Sequence, residues 1–251
     1  MNNSRTIGEN IIYLSEVNST NLYASQLIKD NKFSEGTVVV AQNQTSGKGQ
    51  AENKWVSENG KNLTFSVILT PVFLSAERQF LLSKIVSLSI IDFLNKFSIL
   101  DISIKWPNDI YVGNKKIAGI LIENSIKGLK YDTSIVGIGL NINQTQFSAD
   151  IPNATSLKIL LNKDFDLKEC LNSLLEKLET WYDQLKLQNY QLIDDEYLNS
   201  IYNFNKFLPY IYMYQKITAR IIGVNKYGKL QLEKEDNTII DCDFREIEFT
   251  I

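Results

Sequence analysis

The chain has 251 residues and a net charge of −3; 44% of the residues are hydrophobic and 22% charged, a balance that fits one globular unit with at most a small appendage. It has no histidine, and its two cysteines, Cys170 and Cys242, lie outside any C-x-x-C pair, which excludes Ser-His-Asp and Cys-His hydrolysis, histidine proton shuttling and the common zinc sites. No apolar run is long enough to span a bilayer, residues 1–10 do not read as a signal peptide, and the acidic balance speaks against bulk nucleic-acid binding, so a reducing, cytoplasmic setting is expected.

Residues 11–14 read as a short strand. Leu22, Ala24, Leu27 and Ile28 have helical spacing, with Ser19 or Thr20 placed to cap that helix. Residues 36–41 form a buried strand, followed by a polar, glycine-containing loop over 42–54. A strand over 62–70 stops at Pro71, and residues 77–97 carry apolar side chains at helical spacing. Strands are expected at 102–106, 110–112, 117–123 and 134–143, with turns at Gly113-Asn114 and Lys127-Gly128. Residues 167–202 read as helical, in one piece or two. Four short strands follow (207–214, 216–224, 229–234 and 238–244), with turns at Tyr227-Gly228 and Asp236-Asn237, which predicts a small β-barrel. The expected division is residues 1–204 and 205–251.

Three segments carry chemistry. In the loop around Gly47-Lys48-Gly49-Gln50, glycines can expose backbone N–H groups to an anion and Lys48 adds charge. The third glycine of a dinucleotide fingerprint is replaced by Glu52, and no Ser or Thr follows Lys48 as a Walker A loop requires, so the loop alone reads equally as a surface connection. In the second segment, Lys105-Trp106-Pro107-Asn108-Asp109, proline interrupts the ladder and leaves Asn108 and Asp109 at a strand junction. Lys105 and Trp106 point to opposite faces, and a hairpin brings Lys116 back toward the junction. Two lysines and a carboxylate there suit a polyphosphate with magnesium; the same pattern is also that of an ordinary hairpin with solvated charges. Gly119, inside the returning strand, allows close approach of a ligand or backbone. The third segment is Gly137-Ile138-Gly139-Leu140-Asn141-Ile142-Asn143, with one apolar face and one of glycines followed by amides. Such a face suits a flat ligand, or a closely packed helix.

Together and in this order, Lys105–Asp109, the Lys-x-x-Gly-Ile-Leu-x-Glu run from Lys116 to Glu123, and the Gly-x-Gly-x-Asn strand resemble the biotin–protein ligase family. The resemblance runs from Ser19-Thr20 through residue 143, and the C-terminal strands fit it too. It implies an α+β fold: a mixed β-sheet flanked by helices, with a small C-terminal β-barrel. It also implies a reaction in which biotin and MgATP give biotinyl-adenylate and pyrophosphate, after which a lysine of a biotin carboxyl carrier domain takes the biotin. A chain without histidine suits this chemistry, because cations and orientation do the work without a covalent enzyme intermediate.

Site roles follow from the same resemblance. Ser19, Thr20, Asn21 and Gln44 would bind biotin, with Gly47, Lys48, Gly49 and Gln50 closing over it and Gly119, Gly137 and Gly139 beneath. Lys116 would contact the biotin carboxylate and the reacting phosphate as the principal catalytic cation, helped by Lys48. Asp109 would position magnesium or the incoming amine. Lys105, Asn108, Asn141 and Trp55 would serve the nucleotide. Lys48 stands where the family pattern has arginine, and Glu52 where it usually has glycine. The substitution at 48 keeps charge and loses the bidentate fork, in a chain with only four arginines. Competing readings are a lipoate- or octanoate-handling ligase of the same fold and a catalytically weak biotin sensor. No DNA or membrane partner is expected, since residues 1–10 leave no room for a helix-turn-helix module; monomer and homodimer both stay open.

Overall fold

The computed structural model describes residues 6–50, 53–128, 130–148, 151 and 153–250. Strand β1 (Ile11–Val17) leads through helix α1 (Thr20–Lys29) to β2 (Val38–Gln44), which lies parallel to β1, as a helical crossover requires. Then come β3 (Leu63–Leu69), α2 (Phe80–Asn95), β4 (Ile102–Lys105), β5 (Asp109–Val112), β6 (Lys115–Lys127) and β7 (Lys130–Leu140). The seven strands form one mixed sheet in the order β1-β2-β3-β7-β6-β5-β4, and every neighbouring pair other than β1 and β2 is antiparallel.

Both faces of the sheet are covered. Leu63, Phe65, Val67 and Leu69 of β3 join the large apolar cluster under α2, whereas Ile68, with Val39 and Ile135, packs under α1 around Ala24. That is why β3 is buried at every position, its alternating Thr64 and Ser66 included. Helix α2 is itself buried on most sides, because α4 (Leu167–Lys186) and α5 (Tyr190–Asn199) lie behind it. The capping carboxylate of Asp166 accepts the Glu169 N–H at 2.8 Å, and α4 buries the stripe Leu171, Leu174, Leu178, Tyr182 and Leu185. The helical stretch expected over 167–202 is thus two helices, broken where Gln188 takes a φ of 58°. A five-residue helix, α3 (Leu157–Leu161), carries too few residues to show a period in the sequence.

The C-terminal strands are β8 (Leu208–Tyr212), β9 (Gln215–Val224), β10 (Leu230–Lys234), β11 (Ile239–Cys242) and β12 (Ile247–Phe249). They form an antiparallel sheet in the order β11-β10-β9-β8-β12. The expected small β unit is present, but its backbone hydrogen bonds do not close a ring: β11 and β12 are its two edges. The strand expected over 238–244 stops at Cys242; the chain then turns and lays the three-residue β12 beside β8. The unit is docked by the indole Nε1 of Trp106, which donates to the Gly228 carbonyl at 2.9 Å, and by the Phe80 ring, which occupies the place a Gly228 side chain would take. Tyr210, Ile221 and Leu232 belong to the same apolar cluster as Phe65 and Leu82, so the core is continuous across residue 204. Among the described residues no helix is long and apolar enough to cross a membrane.

Candidate active site

Strand register aligns the charged groups. Lys105 on β4 pairs with Asp109 on β5, Asp109 with Gly119 on β6, Gly119 with Gly139 on β7, and Gly139 with Thr64 on β3. Residues directly opposite share a face, so these five form a row across the sheet. Lys116 is three residues from Gly119 and by simple alternation belongs on the other face. A β-bulge between Ile110 and Tyr111 shifts the pairing there, and the Lys116 ammonium comes to 2.7 Å from Asp109 Oδ1 and within contact of a Cβ built at Gly119. The Lys116 backbone is pinned by Asn153 O, which accepts its N–H at 2.7 Å, and by the Thr155 N–H, which donates to its carbonyl at 2.9 Å. Asn108 turns its side chain into the sheet, where Nδ2 donates to Ile120 O at 2.7 Å.

Lys105 is half-buried, and its pKa is lowered by loss of water and raised in part by Asp109. Its ammonium lies 5.0 Å from the Tyr111 ring and 5.3 Å from the Phe249 ring. Burial and the Asp109 charge push the Tyr111 phenol up to about 12, so it stays neutral as a wall of the site.

Beside the row lies a buried polar niche. Ser19, Thr20 and Asn21 are 2–3% exposed. Ser19 is the N-cap of α1 by position, yet its side chain makes no capping bond; Gln44 supplies one instead, its Oε1 accepting the Thr20 N–H at 2.8 Å and the Thr20 hydroxyl at 3.2 Å. Ser66 Oγ lies 2.7 Å from Thr20 Oγ1 and 2.6 Å from Asn21 Oδ1, while Asn21 Nδ2 donates to Glu123 Oε2 at 2.7 Å. Gly137 makes room for Asn21: a Cβ there would stand 2.4 Å from Asn21 Oδ1.

The loop after β2 folds back over the glycine row. Gly49 N–H donates to Asn53 O at 2.8 Å and Trp55 N–H to Gly47 O at 3.0 Å, with Lys48 bridging Lys54. The Trp55 indole lies on Gly139 and Gly119, and a Cβ on Gly139 would sit 2.2 Å from its ring. What rests flat on the glycine pair is therefore one of the protein's own rings, with a buried Nε1 that has no hydrogen-bond partner. Lys48 reaches Glu123 at 4.0 Å. Glu52, singled out in the sequence, lies outside the described residues.

Row, niche and loop enclose one cleft of about 290 Å³, near the lower end of small-ligand sites. It brings together Ser19, Thr20, Asn21, Gln44, Lys48, Gly49, Gln50, Trp55, Lys105, Asn108, Asp109, Lys116, Gly119, Gly137 and Gly139. Two predicted residues are not on its lining. Gly47 sits behind it, where a Cβ would be 2.4 Å from Trp55 O. Asn141 follows the end of β7 and donates Nδ2 to Thr155 O at 3.0 Å, which steadies the segment that pins Lys116. Sequence reasoning missed Asn53, Lys54 and the wall contributed by Phe244, Ile247 and Phe249. Only the apolar spacing of that last segment hinted at burial, and nothing in it pointed to this cleft. Asp109 is the one carboxylate among the described lining residues, and no cluster of three metal-ligating side chains occurs among the described residues. A single carboxylate suits magnesium that arrives on substrate phosphates rather than a resident metal.

The Biotin/lipoate A/B protein ligase family matches residues 13–141, just over half of the chain. A bifunctional ligase/repressor BirA of Bacillus spizizenii is 31% identical over 184 residues, which cover 71% of this chain and 55% of that protein. A biotin–[acetyl-CoA-carboxylase] ligase of Paracoccus denitrificans is 30% identical over 193 residues, covering 74% of this chain and 78% of that protein. The solved structure of a biotin protein ligase from Aquifex aeolicus in complex with biotin and ATP superposes with a TM-score of 0.79 at 30% identity, covering 96% of this chain and 98% of that one. The chain thus spans about half the length of the bifunctional proteins it matches.

Proposed function

The chain belongs to the biotin/lipoate A/B protein ligase family, and on that premise we propose that it is a biotin–protein ligase, which activates biotin with MgATP and passes it to a lysine of a biotin carboxyl carrier domain. The observation that carries this reading is the charged end of the transverse row: Lys105 pairs with Asp109, and Lys116 reaches Asp109 at 2.7 Å, beside a buried polar niche and within one cleft. The likeness to a solved ligase that holds biotin and ATP supports it.

The niche offers what a ureido ring requires, donors and acceptors fixed in a buried setting. Ser19, Thr20, Asn21 and Gln44 would hold that ring, and the acyl chain would run past Gly137 and Gly119, beside the Trp55 indole, toward Lys116. There the biotin carboxylate competes with Asp109 for the ammonium. Two anions must meet for reaction, and the cations of Lys116, Lys105 and Lys48 lower their repulsion. A carboxylate oxygen attacks the α-phosphorus, the bond to the β-phosphate breaks, and pyrophosphate leaves. Magnesium supplies further charge neutralisation on the phosphates when bound, with Asp109 the residue to hold it. In the second step a lysine amine attacks the acyl carbon, the carbon–oxygen bond to the adenylate breaks, and AMP leaves as the amine loses a proton. Asp109 would orient that amine once Lys116 has turned to the anion. Lys48 would keep a point charge near the phosphate without the arginine fork, a replacement that fits a chain with four arginines. The residues at 205–251 are proposed as a second unit that walls the nucleotide side of the cleft.

The deciding experiment is ATP–pyrophosphate exchange with magnesium, run with biotin, lipoate and octanoate in parallel. Exchange with biotin alone is expected, falling roughly 10²- to 10³-fold in Lys116→Ala, the scale for loss of one transition-state charge contact. Exchange with lipoate instead would overturn the substrate while keeping the phosphate chemistry. Biotin binding without exchange would turn the reading to a sensor.

A further inference from the structure

We infer that Phe249, on the last strand of the C-terminal sheet, is a positioning residue for Lys105: its ring and the Tyr111 hydroxyl clamp the Lys105 ammonium in the cleft. The inference rests on the proposed role of Lys105 as a nucleotide cation, and it names the device that keeps that cation in place.

The three lysines assigned to the site are held differently. Lys116 has Asp109 at 2.7 Å and Lys48 has Glu123 at 4.0 Å. Among the described residues, Lys105 has no carboxylate oxygen within 4.0 Å, although it is half-buried. Its Nζ lies 5.0 Å from the Tyr111 ring centroid, 5.3 Å from that of Phe249, and 3.5 Å from the Tyr111 hydroxyl. The Phe249 distance is within the range at which an aromatic face attracts a cation, while on the Tyr111 side the ammonium stands past the ring edge, at the hydroxyl. Each ring is itself held. Phe249 meets its cross-strand partner Tyr210 edge to face at 5.6 Å, and Tyr210 is buried. Tyr111 is backed by Tyr202 at 5.9 Å, whose hydroxyl donates to Asn114 Oδ1 at 2.7 Å. The charged groups that act on Lys105 are Asp109 on β5 and Lys116 on β6. Asp109 is engaged by Lys116, and the Tyr111 and Tyr210 phenols, both pushed up to about 12, carry no charge near neutrality.

The consequence is chemical. A carboxylate partner would neutralise Lys105 and compete with a phosphate for it. An aromatic face holds a cation through its quadrupole and leaves the whole charge available to an arriving anion. Because one jaw of the clamp comes from β12, the C-terminal sheet fixes a cation that belongs to the sheet opposite. The three-residue strand β12 thereby acquires a purpose beyond closing the cleft.

The test replaces Phe249 with mono-, di- and trifluorophenylalanine, which keep the ring's shape while draining its π density stepwise. MgATP and biotin dissociation constants are measured by calorimetry on the full chain, in the unsubstituted and Lys105→Ala backgrounds. A stepwise rise in the MgATP Kd is expected, reaching roughly two- to fivefold in the trifluoro form, with biotin unchanged and no trend in Lys105→Ala. Phe249→Tyr should bind as the parent does, and Phe249→Leu should fall with the trifluoro form. Normal MgATP binding with a flat fluorine series would overturn the clamp and leave the ligase reading intact. If the unsubstituted protein binds no MgATP, the nucleotide reading of the cleft falls and the clamp falls with it.

Discussion

Gly137 and Gly139 stand two residues apart on β7 and make room for different partners. A methyl at 137 would meet Asn21 Oδ1 at 2.4 Å, and one at 139 would enter the Trp55 ring at 2.2 Å. Asn21 cannot give way cheaply, since Ser66 and Glu123 hold both ends of its amide and it is 3% exposed. Gly137→Ala is therefore expected to break the niche and weaken biotin binding about tenfold or more, the cost of one buried hydrogen bond lost, with MgATP binding little changed. Trp55 is on a loop and can move. Gly139→Ala should lift the indole into water and red-shift its emission, read as the difference from a Trp55→Phe form because the chain has three tryptophans. Calorimetry separates the pair: equal loss of biotin affinity in both variants would show that the two glycines serve one site.

At the scale of elements, the legible features were those set by local alternation. Ile104 faces the core and Lys105 the cleft, as the spacing in 102–106 requires, and the glycine face of 137–139 is opposite the apolar one. The row from Lys105 to Thr64 depends on which residues lie opposite each other in five strands, and no single segment carries that information. The hairpin at Gly113-Asn114 returns Lys116 to the junction and the resemblance gives it a role; parity alone turns it away from Gly119, and the bulge reverses that. Strand β12 and helix α3 are too short to show a period, so the Phe249 wall stayed hidden. The join between the two sheets was equally invisible, although one hydrogen bond across it can be tested. Trp106→Phe deprives the Gly228 carbonyl of its donor and leaves a small cavity where the rest of the buried indole stood. A stability loss of about 1–3 kcal/mol in urea is expected, with faster amide exchange centred on residues 225–230. Unchanged exchange there would mean that the Phe80 contact alone secures the turn.

For the whole molecule, one apolar cluster extends from the large sheet into the C-terminal sheet, and it holds most of the buried groups that resist ionisation. Burial pushes Tyr111, Tyr131 and Tyr210 up to about 12, Cys170 up to about 11 and Cys242 up to about 12; Tyr182 and Tyr197 are raised still further. The sign follows directly. Each group binds its proton more tightly in the fold than in the unfolded chain, where thiols and phenols titrate near 9 and 10. Its stabilisation is complete below those values and is lost as pH rises through the window up to the folded value. At pH 11 each buried tyrosine has cost on the order of 1 kcal/mol and each thiol on the order of 2–3 kcal/mol. Summed over seven groups, that approaches the whole stability of an ordinary domain, about 5–15 kcal/mol. Melting temperature should thus be flat from neutrality to about pH 9 and then fall steeply. Phenolate absorbance from the buried tyrosines should appear only with unfolding, and alkylation of Cys170 and Cys242 only in denaturant. A cluster shared by both sheets further requires that the two unfold in one transition. Tyrosines that ionised smoothly while the melting temperature held would show that water already reaches them, and would place the stability of the molecule elsewhere than in that shared core.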